Sequence, residues 1–210
     1  MTPFLVEWGA PADRAALAVL AVHGRGQDPA FMQATAHRFA TASARFFAPE
    51  AEDNTWYPLS FLEPVERNQP ALDRSVQVLE ASLARLAEAG FDGERVVLWG
   101  FSQGACLLSH LVLSAPRPLA GLVLFTGGYL GTAPPVPGGQ ALSGVPVVLR
   151  SIEDDPWVPR HRVDETAALL RQAGAQVDLR IDPGADHIIT DEACATATEL
   201  LNAAAARASG

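Results

Sequence analysis

VVLWGFSQGACLLSH, residues 96–110, passes from a buried strand to a helix around one serine. Residues 96–99 form a continuous apolar run, which is typical of a strand buried on both faces. Residues 105–110 suit a helix, and only five residues separate it from the strand. Gly100 and Gly104 stand two places to either side of Ser102. A turn this sharp brings strand and helix so close together that a side chain at either glycine would obstruct it.

The pattern Gly-x-Ser-x-Gly between a strand and a helix is typical of a nucleophile elbow. Such a turn holds the hydroxyl of Ser102 out where a substrate can reach it. It also places Ser102 and Gln103 at a helix N-terminus, where unpaired N–H groups favour developing negative charge. A serine between glycines can also be a simple tight turn, and the flanking strand and helix favour the elbow. The stretch therefore predicts a serine nucleophile at residue 102.

Apolar strand patterns alternate with helical patterns along the chain. The predicted strands are Leu17–Val22, Arg45–Ala48, Arg95–Trp99, Leu119–Thr126, Val145–Arg150 and Val177–Ile181. The predicted helices are Ala30–Ala44, Gln69–Ala89, Gln103–Ser114, Arg160–Gln172 and Asp191–Ala206. This alternation predicts an α/β fold, a mainly parallel sheet with helices on both faces, in one domain over residues 1–210.

Composition narrows the classes of function. Of the 210 residues, 49% are hydrophobic and 19% are charged, as in a globular protein. The net charge of −9 argues against a nucleic-acid partner, which would require a basic face. The apolar run 15–22 is shorter than the ~20 residues of a membrane span and no basic region precedes it. We therefore expect a cytoplasmic protein without a membrane span, with Cys106 and Cys194 as buried free thiols.

A serine hydroxyl needs a base to activate it, and the chain offers five histidines. His187 lies in DPGADHIIT, residues 182–190, between the last predicted strand and the last predicted helix. That loop belongs to the same edge of the sheet as Ser102, because the carboxyl ends of parallel strands meet there. The remaining histidines occupy helical patterns or a glycine loop: His23, His37, His110 and His161. We therefore predict that His187 is the general base.

The base needs an acid to orient it, and SIEDDPWVP, residues 151–159, supplies acidic residues after the predicted strand 145–150. Serine, acid and histidine then follow one another in the chain order known for serine hydrolases with a parallel sheet. Successive side chains of an extended segment point to opposite sides, so only one of Asp154 and Asp155 can face His187. Asp155 precedes Pro156, which favours an extended conformation for it. Asp155 is therefore the predicted acid.

A glycine loop, VHGRGQD at residues 22–28, follows the predicted strand 17–22. Its glycines let the backbone approach a substrate, so that the N–H of Arg25 can join that of Gln103 in an oxyanion hole. The alternatives are a generic glycine-rich turn and a phosphate loop. A phosphate loop is disfavoured because no G-K-[ST] sequence follows.

Five motifs occur in a fixed order along the chain: VHGRGQ, APEAEDNTWYP, GFSQGA, DDPWVP and GADH. Over roughly residues 16–204 they resemble the phospholipase/carboxylesterase family of α/β-hydrolases, which includes acyl-protein thioesterases. The resemblance implies a triad of Ser102, Asp155 and His187, with an oxyanion hole from the backbone of Arg25 and Gln103. It also implies hydrolysis of carboxylic esters or thioesters without a cofactor. ERNQPALD, residues 66–73, matches a family pattern too, and we assign it to starting a helix.

Substrate specificity is expected to come from loop side chains, because the connection 127–144 is too short for a lid domain. The candidate substrate-binding residues are aromatic and lie in loops: Trp56, Tyr57, Phe61, Tyr129 and Trp157. Ordinary packing under long loops is the alternative for each of them. Arg25 stands where thioesterases of the family usually carry an apolar residue. Together with the open site, this favours short acyl groups.

Three other functions stay open from the sequence. Dienelactone hydrolases resemble the chain in fold and cleave lactones, but they carry cysteine at the elbow. A hydrolase fold that binds a ligand without catalysis is disfavoured by the complete set of catalytic groups. A metal site would use Asp154, Asp155, Asp186 and His187, but no recognised ligand spacing supports it. The leading hypothesis is an esterase for a small-molecule ester or thioester, with no metal, cofactor, nucleic acid or membrane, and it allows a homodimer.

Overall fold

The computed structural model describes residues 4–41, 43–133 and 140–209. One seven-stranded sheet runs through them in the order β1-β3-β2-β4-β5-β6-β7. The strands are β1 (Leu5–Gly9), β2 (Leu17–Val22), β3 (Ala44–Pro49), β4 (Val96–Phe101), β5 (Gly121–Phe125), β6 (Pro146–Ile152) and β7 (Gln176–Asp182). Strand β1 is antiparallel to β3, and the other neighbouring pairs are parallel. The fold is therefore the predicted α/β fold with a mainly parallel sheet.

Helices in the described ranges pack on the two faces of this sheet. They are α1 (Pro29–Ala36), α2 (Ala71–Glu88), α3 (Gln103–Ser114), α4 (Arg160–Gln172) and α5 (Asp191–Ala208). Side chains cap two of their N-termini, because Asp28 accepts from the N–H of Phe31 and Thr190 accepts from the N–H of Ala193. Gly90 follows α2 with φ of 90°, a left-handed conformation that ends a helix readily only at glycine.

Two hydrophobic layers hold the sheet between the helices. Alternate residues of β4 belong to different layers, since Leu98 packs with the layer of α2, α3 and α4 whereas Trp99 packs with the layer of α1 and α5. Every residue of β2 and β4 is buried. Burial on both faces explains why these strands are continuous apolar runs and do not alternate with polar residues.

Two elements differ from the sequence prediction. The helix predicted for residues 30–44 ends at Ala36, since Phe39 turns away to pack on Trp99 with ring centroids 4.7 Å apart. Residue 42 of that predicted helix lies outside the described residues. Strand β1 was not predicted, and its Trp8 stacks on Phe46 of the neighbouring strand, with centroids 5.3 Å apart. Both features depend on partners distant in sequence, which local patterns do not reveal.

Three smaller predictions have separate outcomes. Cys106 and Cys194 are buried and unpaired, as predicted. In the ranges that the structure covers, no helix combines the length and apolar character needed to cross a bilayer. Residues 134–139 of the connection between β5 and β6 lie outside the described residues, so the expected absence of a lid stays a prediction.

Candidate active site

The candidate catalytic side chains gather at the carboxyl edge of the sheet. Ser102 directly follows β4, Asp155 lies three residues after β6, and His187 lies in the loop between β7 and α5. Arg25 is in the loop after β2. Ligands of open α/β sheets bind at this edge, because side chains from several strand ends converge there.

Ser102 occupies a strained turn between β4 and α3. Its φ of 53° and ψ of −119° are rare for a residue with a side chain. The N–H of Ser102 donates to the Phe125 carbonyl oxygen at 2.9 Å, which fixes the turn to the neighbouring strand. A Cβ at Gly100 would lie 2.7 Å from the Ala105 nitrogen, and one at Gly104 would lie 2.1 Å from the Val22 carbonyl oxygen. Only glycine fits at either position, which is the steric reason inferred from the sequence.

A chain of two hydrogen bonds joins the serine, the histidine and one aspartate. Nε2 of His187 lies 2.8 Å from Oγ of Ser102, and Nδ1 of His187 lies 2.7 Å from Oδ2 of Asp155. With the proton on Nδ1, the ring donates to the carboxylate and accepts from the hydroxyl. The ring of Phe101 packs against His187 with centroids 5.1 Å apart. The imidazole is therefore held in one orientation from both sides.

The Asp155 carboxylate is fully buried and hydrogen-bonded at both oxygens. Its Oδ1 accepts from the N–H groups of Trp157 and Val158 at 2.8 and 2.9 Å. Burial by itself would raise the pKa of Asp155, but the hydrogen bonds from His187 and the two amides outweigh it, so the pKa lies below its ordinary value. Asp154 is exposed. The geometry thus brings Asp155, and not Asp154, to the histidine.

The loop after β2 supplies the second predicted N–H group of the oxyanion hole. Within the described chain, no main-chain or side-chain acceptor bonds the N–H of Arg25 or of Gln103. A Cβ at Gly24 would lie 3.2 Å from the Cβ of Ser102, so this loop passes close to the serine. Gly26 has φ of 71°, and its N–H donates to the Asn54 carbonyl oxygen at 2.8 Å. The loop is therefore fastened beside the elbow. The N–H of Arg25 in the loop and the N–H of Gln103 at the start of α3 are both left without an acceptor among the described residues.

His23 at the start of this loop is fully buried. Its Nε2 accepts from the N–H of Ala51 at 3.1 Å, and its ring packs on Trp56 with centroids 4.9 Å apart. Burial lowers the pKa of His23, against the opposing effect of the Gly24 carbonyl and of nearby carboxylates. The neutral ring is thus a structural support for the loop, a function that the sequence did not indicate.

A cavity of about 500 Å³ opens beside Ser102 and is mostly apolar. Its lining residues come from five loops and helix starts: Arg25, Tyr57, Pro58, Leu59, Ser60, Phe61, Ser102, Gln103, Cys106, Trp157, Val158 and His187. Tyr57, Phe61 and Trp157 therefore line this cavity, with Trp157 70% exposed at the rim, and their contact with substrate stays a prediction. A larger cleft near Arg95, at the amino ends of the strands, contains none of the candidate catalytic groups.

Two of the predicted substrate-binding residues lie outside this cavity. Trp56 is 1% exposed, and its indole N–H donates to the His23 carbonyl oxygen at 2.8 Å. The guanidinium carbon of Arg162 lies over the ring of Tyr129, 4.1 Å from the ring centroid. The Tyr129 hydroxyl donates a hydrogen bond to the Glu165 carboxylate at 3.1 Å. The prediction that Trp56 and Tyr129 contact substrate is corrected, because both rings are used in packing loops.

The Cys106 thiol is a second nucleophilic group at this cavity. It is 1% exposed, and burial raises its pKa to about 11. At neutral pH it is therefore a neutral thiol, whereas the reactive form of cysteine is the thiolate. Ser102, with a hydrogen bond to His187, is the better placed nucleophile.

Two polar side chains hold the cavity wall through contacts that the sequence did not indicate. The guanidinium of Arg25 donates to the carbonyl oxygens of Tyr57, Pro58 and Leu59 at 2.8 to 2.9 Å. Asn68 is fully buried, accepts from the N–H of Leu59 and donates to the Ser60 carbonyl oxygen. The motif ERNQPALD therefore does more than start α2. Its family match was the only signal in the sequence that pointed to Asn68.

Comparison with known proteins gives consistent matches. The family model described as phospholipase/carboxylesterase matches residues 7–205. The crystal structure of a phospholipase/carboxylesterase from Dyadobacter fermentans is 31% identical, with a TM-score of 0.90 over 95% of this chain and 96% of that one. Esterase PE8 is 24% identical, with a TM-score of 0.80 over 97% and 99% of the two chains, and shows likeness of fold alone.

A curated relative extends the comparison to thioesterases. Acyl-protein thioesterase 1 of Schizosaccharomyces pombe is 27% identical over 107 residues, which are 50% of this chain. The match spans 47% of that protein, about half of its length.

Proposed function

Because the chain belongs to the phospholipase/carboxylesterase family of α/β-hydrolases, we propose that it is a serine hydrolase with the triad Ser102, His187 and Asp155. Its substrates are carboxylic esters, or thioesters, of small to medium acyl groups. The observation that carries the proposal is the hydrogen-bond chain from the Ser102 hydroxyl through His187 to the buried Asp155 carboxylate, with both distances under 3 Å. Each member of that chain is what acyl transfer requires.

The acylation step follows from this geometry. Nε2 of His187 takes the proton of Ser102 as Oγ bonds to the substrate carbonyl carbon, and the carbonyl π electrons move to the oxygen. The resulting oxyanion accepts hydrogen bonds from the N–H groups of Arg25 and Gln103, at the positively polarised start of α3. The negative Asp155 carboxylate stabilises the imidazolium and holds its tautomer.

Collapse of this intermediate breaks the bond to the leaving group. The imidazolium of His187 gives its proton to the departing alkoxide or thiolate, and the acyl group stays on Ser102. Water then enters the open cavity, loses a proton to His187 and attacks the acyl carbon. The second oxyanion collapses to release the acid, and Ser102 regains its proton. Protons and electrons balance without a cofactor.

The substrate class is proposed from the cavity. About 500 Å³ of mostly apolar space beside Ser102 suits an acyl chain, and exposed Trp157 offers a flat contact at the rim. Oxygen and sulfur leaving groups depart by the same proton transfer, so ester and thioester cleavage belong to one mechanism. The similarity to an acyl-protein thioesterase supports including thioesters.

Labelling with a fluorophosphonate tests the proposal, because the probe bonds to a serine activated by a neighbouring base. We expect the intact mass of the wild type to rise by one phosphonyl group and that of Ser102→Ala to stay unchanged. Ser114→Ala, at the other end of α3, is the matched control and should label like the wild type. An unlabelled wild type would favour a ligand-binding protein without catalysis.

Substrate panels then separate the remaining alternatives. Hydrolysis of p-nitrophenyl esters and acyl-CoA thioesters is expected, with Ser102→Ala lowering kcat by several orders of magnitude. A preference for a lactone such as dihydrocoumarin would favour the dienelactone-hydrolase-like alternative. Activity lost on adding EDTA and restored by a divalent metal would favour a metal enzyme.

A further inference from the structure

We propose that the side chains of Arg25 and Gln103 are positioning residues that fix the oxyanion hole by sharing the carbonyl oxygen of Tyr57. This inference rests on the proposed function, which places the backbone N–H groups of the same two residues in that hole. The two N–H groups come from different elements, a loop after β2 and the start of α3. Their separation therefore depends on whatever ties those elements together.

The shared acceptor is a specific point of contact. Nη2 of Arg25 donates to the Tyr57 carbonyl oxygen at 2.9 Å, and Nε2 of Gln103 donates to the same atom at 2.7 Å. A carbonyl oxygen has two lone pairs and can accept both. Oε1 of Gln103 accepts from the N–H of Trp56 at 3.0 Å, so the buried amide is bonded at both ends. Its orientation is fixed, since turning the amide over would oppose donor to donor.

The segment that carries this acceptor is itself held rigidly. Residues 56–60 belong to no strand or helix, so their carbonyl oxygens are not bonded within a sheet. Each of these oxygens accepts a hydrogen bond from a side chain. Ser75 donates to the carbonyl oxygen of Trp56, and Asn68 donates to that of Ser60. Arg25 and Gln103 donate to the carbonyl oxygens of residues 57–59 between them. The segment is therefore a fixed frame to which both halves of the hole are fastened.

Two further bonds limit what loss of the Arg25 side chain would do. The loop after β2 is also tied to the segment 54–56 through the Trp56 indole and the Gly26 N–H, each at 2.8 Å from a carbonyl oxygen. Without the guanidinium the loop should stay attached but lose its hydrogen bonds to the carbonyl oxygens of residues 57–59. A shift of the amide, not unfolding, is the expected consequence.

The substitution Arg25→Lys separates a role of the side chain in positioning the backbone from an effect of its positive charge. The planar guanidinium bonds three consecutive carbonyl oxygens at once, whereas an ammonium is a point charge on a flexible stem. Arg25 is exposed at the cavity, so attraction of anionic substrates is the competing explanation for a cation there. Arg25→Lys keeps that attraction and removes the three-point contact.

The test compares Arg25→Lys and Gln103→Glu with the wild type. Glutamate keeps the acceptor for Trp56 but cannot donate to Tyr57 when ionised. Because a misplacement of about 1 Å can cost about 100-fold, we expect each variant to lose about 10-fold or more in kcat on p-nitrophenyl butyrate. KM should change by less than about threefold, since ground-state binding does not use the hole. Affinity for a trifluoromethyl ketone, which forms an oxyanion on Ser102, should fall in parallel with kcat.

The double variant and a matched control complete the design. Since both side chains act through one carbonyl oxygen, the losses in Arg25→Lys/Gln103→Glu should be less than multiplicative. Arg45→Lys, which loses contacts with Glu7 and Ala10 at the amino end of β3, should keep wild-type kcat. If Gln103→Glu fails to fold by circular dichroism, Arg25→Lys alone decides.

Three outcomes would overturn the inference while leaving the proposed function intact. They are wild-type kcat in Arg25→Lys, a lower kcat with unchanged ketone affinity, and a defect limited to the KM of anionic esters. Failure of the proposed function is recognised separately, because the wild type would then not label with fluorophosphonate.

Discussion

Replacement of Asp155 by asparagine tests the proposal that Asp155 orients His187 as the general base. Oδ1 of Asp155 accepts from the N–H groups of Trp157 and Val158, so the asparagine oxygen should take that place. The new NH₂ group then faces Nδ1 of His187 at the position where Oδ2 now lies 2.7 Å away. Nδ1 must accept, the ring proton moves to Nε2, and the ring can no longer accept from Ser102.

The size of the effect follows from that wrong tautomer. In the serine proteases the same substitution lowers kcat about 10⁴-fold, which is about 5 kcal/mol in the barrier. We expect a loss of this size for Asp155→Asn on p-nitrophenyl acetate, with slower fluorophosphonate labelling. Asp154→Asn is the matched control, and because its side chain is exposed the expected loss is less than about tenfold.

The comparison between the two variants is decisive. Circular dichroism and Tm should show that both remain folded, since asparagine keeps the acceptor for the two amides. If Asp154→Asn loses more activity than Asp155→Asn, the assignment of the acid is wrong. If both keep activity within tenfold of the wild type, the hydrogen-bond chain is not the catalytic device.

The same geometry supports three other predictions. Gly104→Ala should lower both Tm and kcat, since its Cβ would lie 2.1 Å from the Val22 carbonyl oxygen, and wild-type values for both would contradict the steric argument. Acetyl and butyryl esters should be cleaved faster than palmitoyl esters, and kcat/KM rising steadily with chain length would refute this. Burial lowers the pKa of His23 below that of the unfolded chain, so stability should fall as pH drops below about 6.5. Burial also lowers the pKa of His110, so His23→Gln should reduce but not abolish the fall in Tm between pH 7 and 5. A fall in Tm as large as that of the wild type would contradict the contribution of His23.

The parts of the fold that were predictable are those set by local sequence. The elbow needs two glycines because main-chain atoms occupy the space of any Cβ, and the pattern around Ser102 records that need directly. The central strands are apolar at every position because both faces are covered, so their boundaries agree with the prediction within about two residues.

The parts that were not predictable depend on contacts across the fold. The end of α1 is set by Phe39 packing on Trp99, sixty residues away in sequence. Trp56 is an aromatic residue in a loop, as binding residues often are, and only its contacts in the folded chain with His23 show that it is buried. Arg25 suggested a polar group facing substrate, whereas its guanidinium bonds three carbonyl oxygens of the wall. A side chain's direction is a tertiary property that its position in a motif does not encode.

The anchoring of residues 56–60 through main-chain oxygens has a consequence for redesign of the enzyme. Since the bonds use carbonyl groups, the identities of the side chains at 58 and 59 are not needed to hold the backbone in place. A library varied at Pro58, Leu59 and Phe61 would therefore reshape the wall while Arg25 and Asn68 keep its path. Under the proposed function, these three positions are where selectivity for acyl groups can be varied without changing the backbone that carries them.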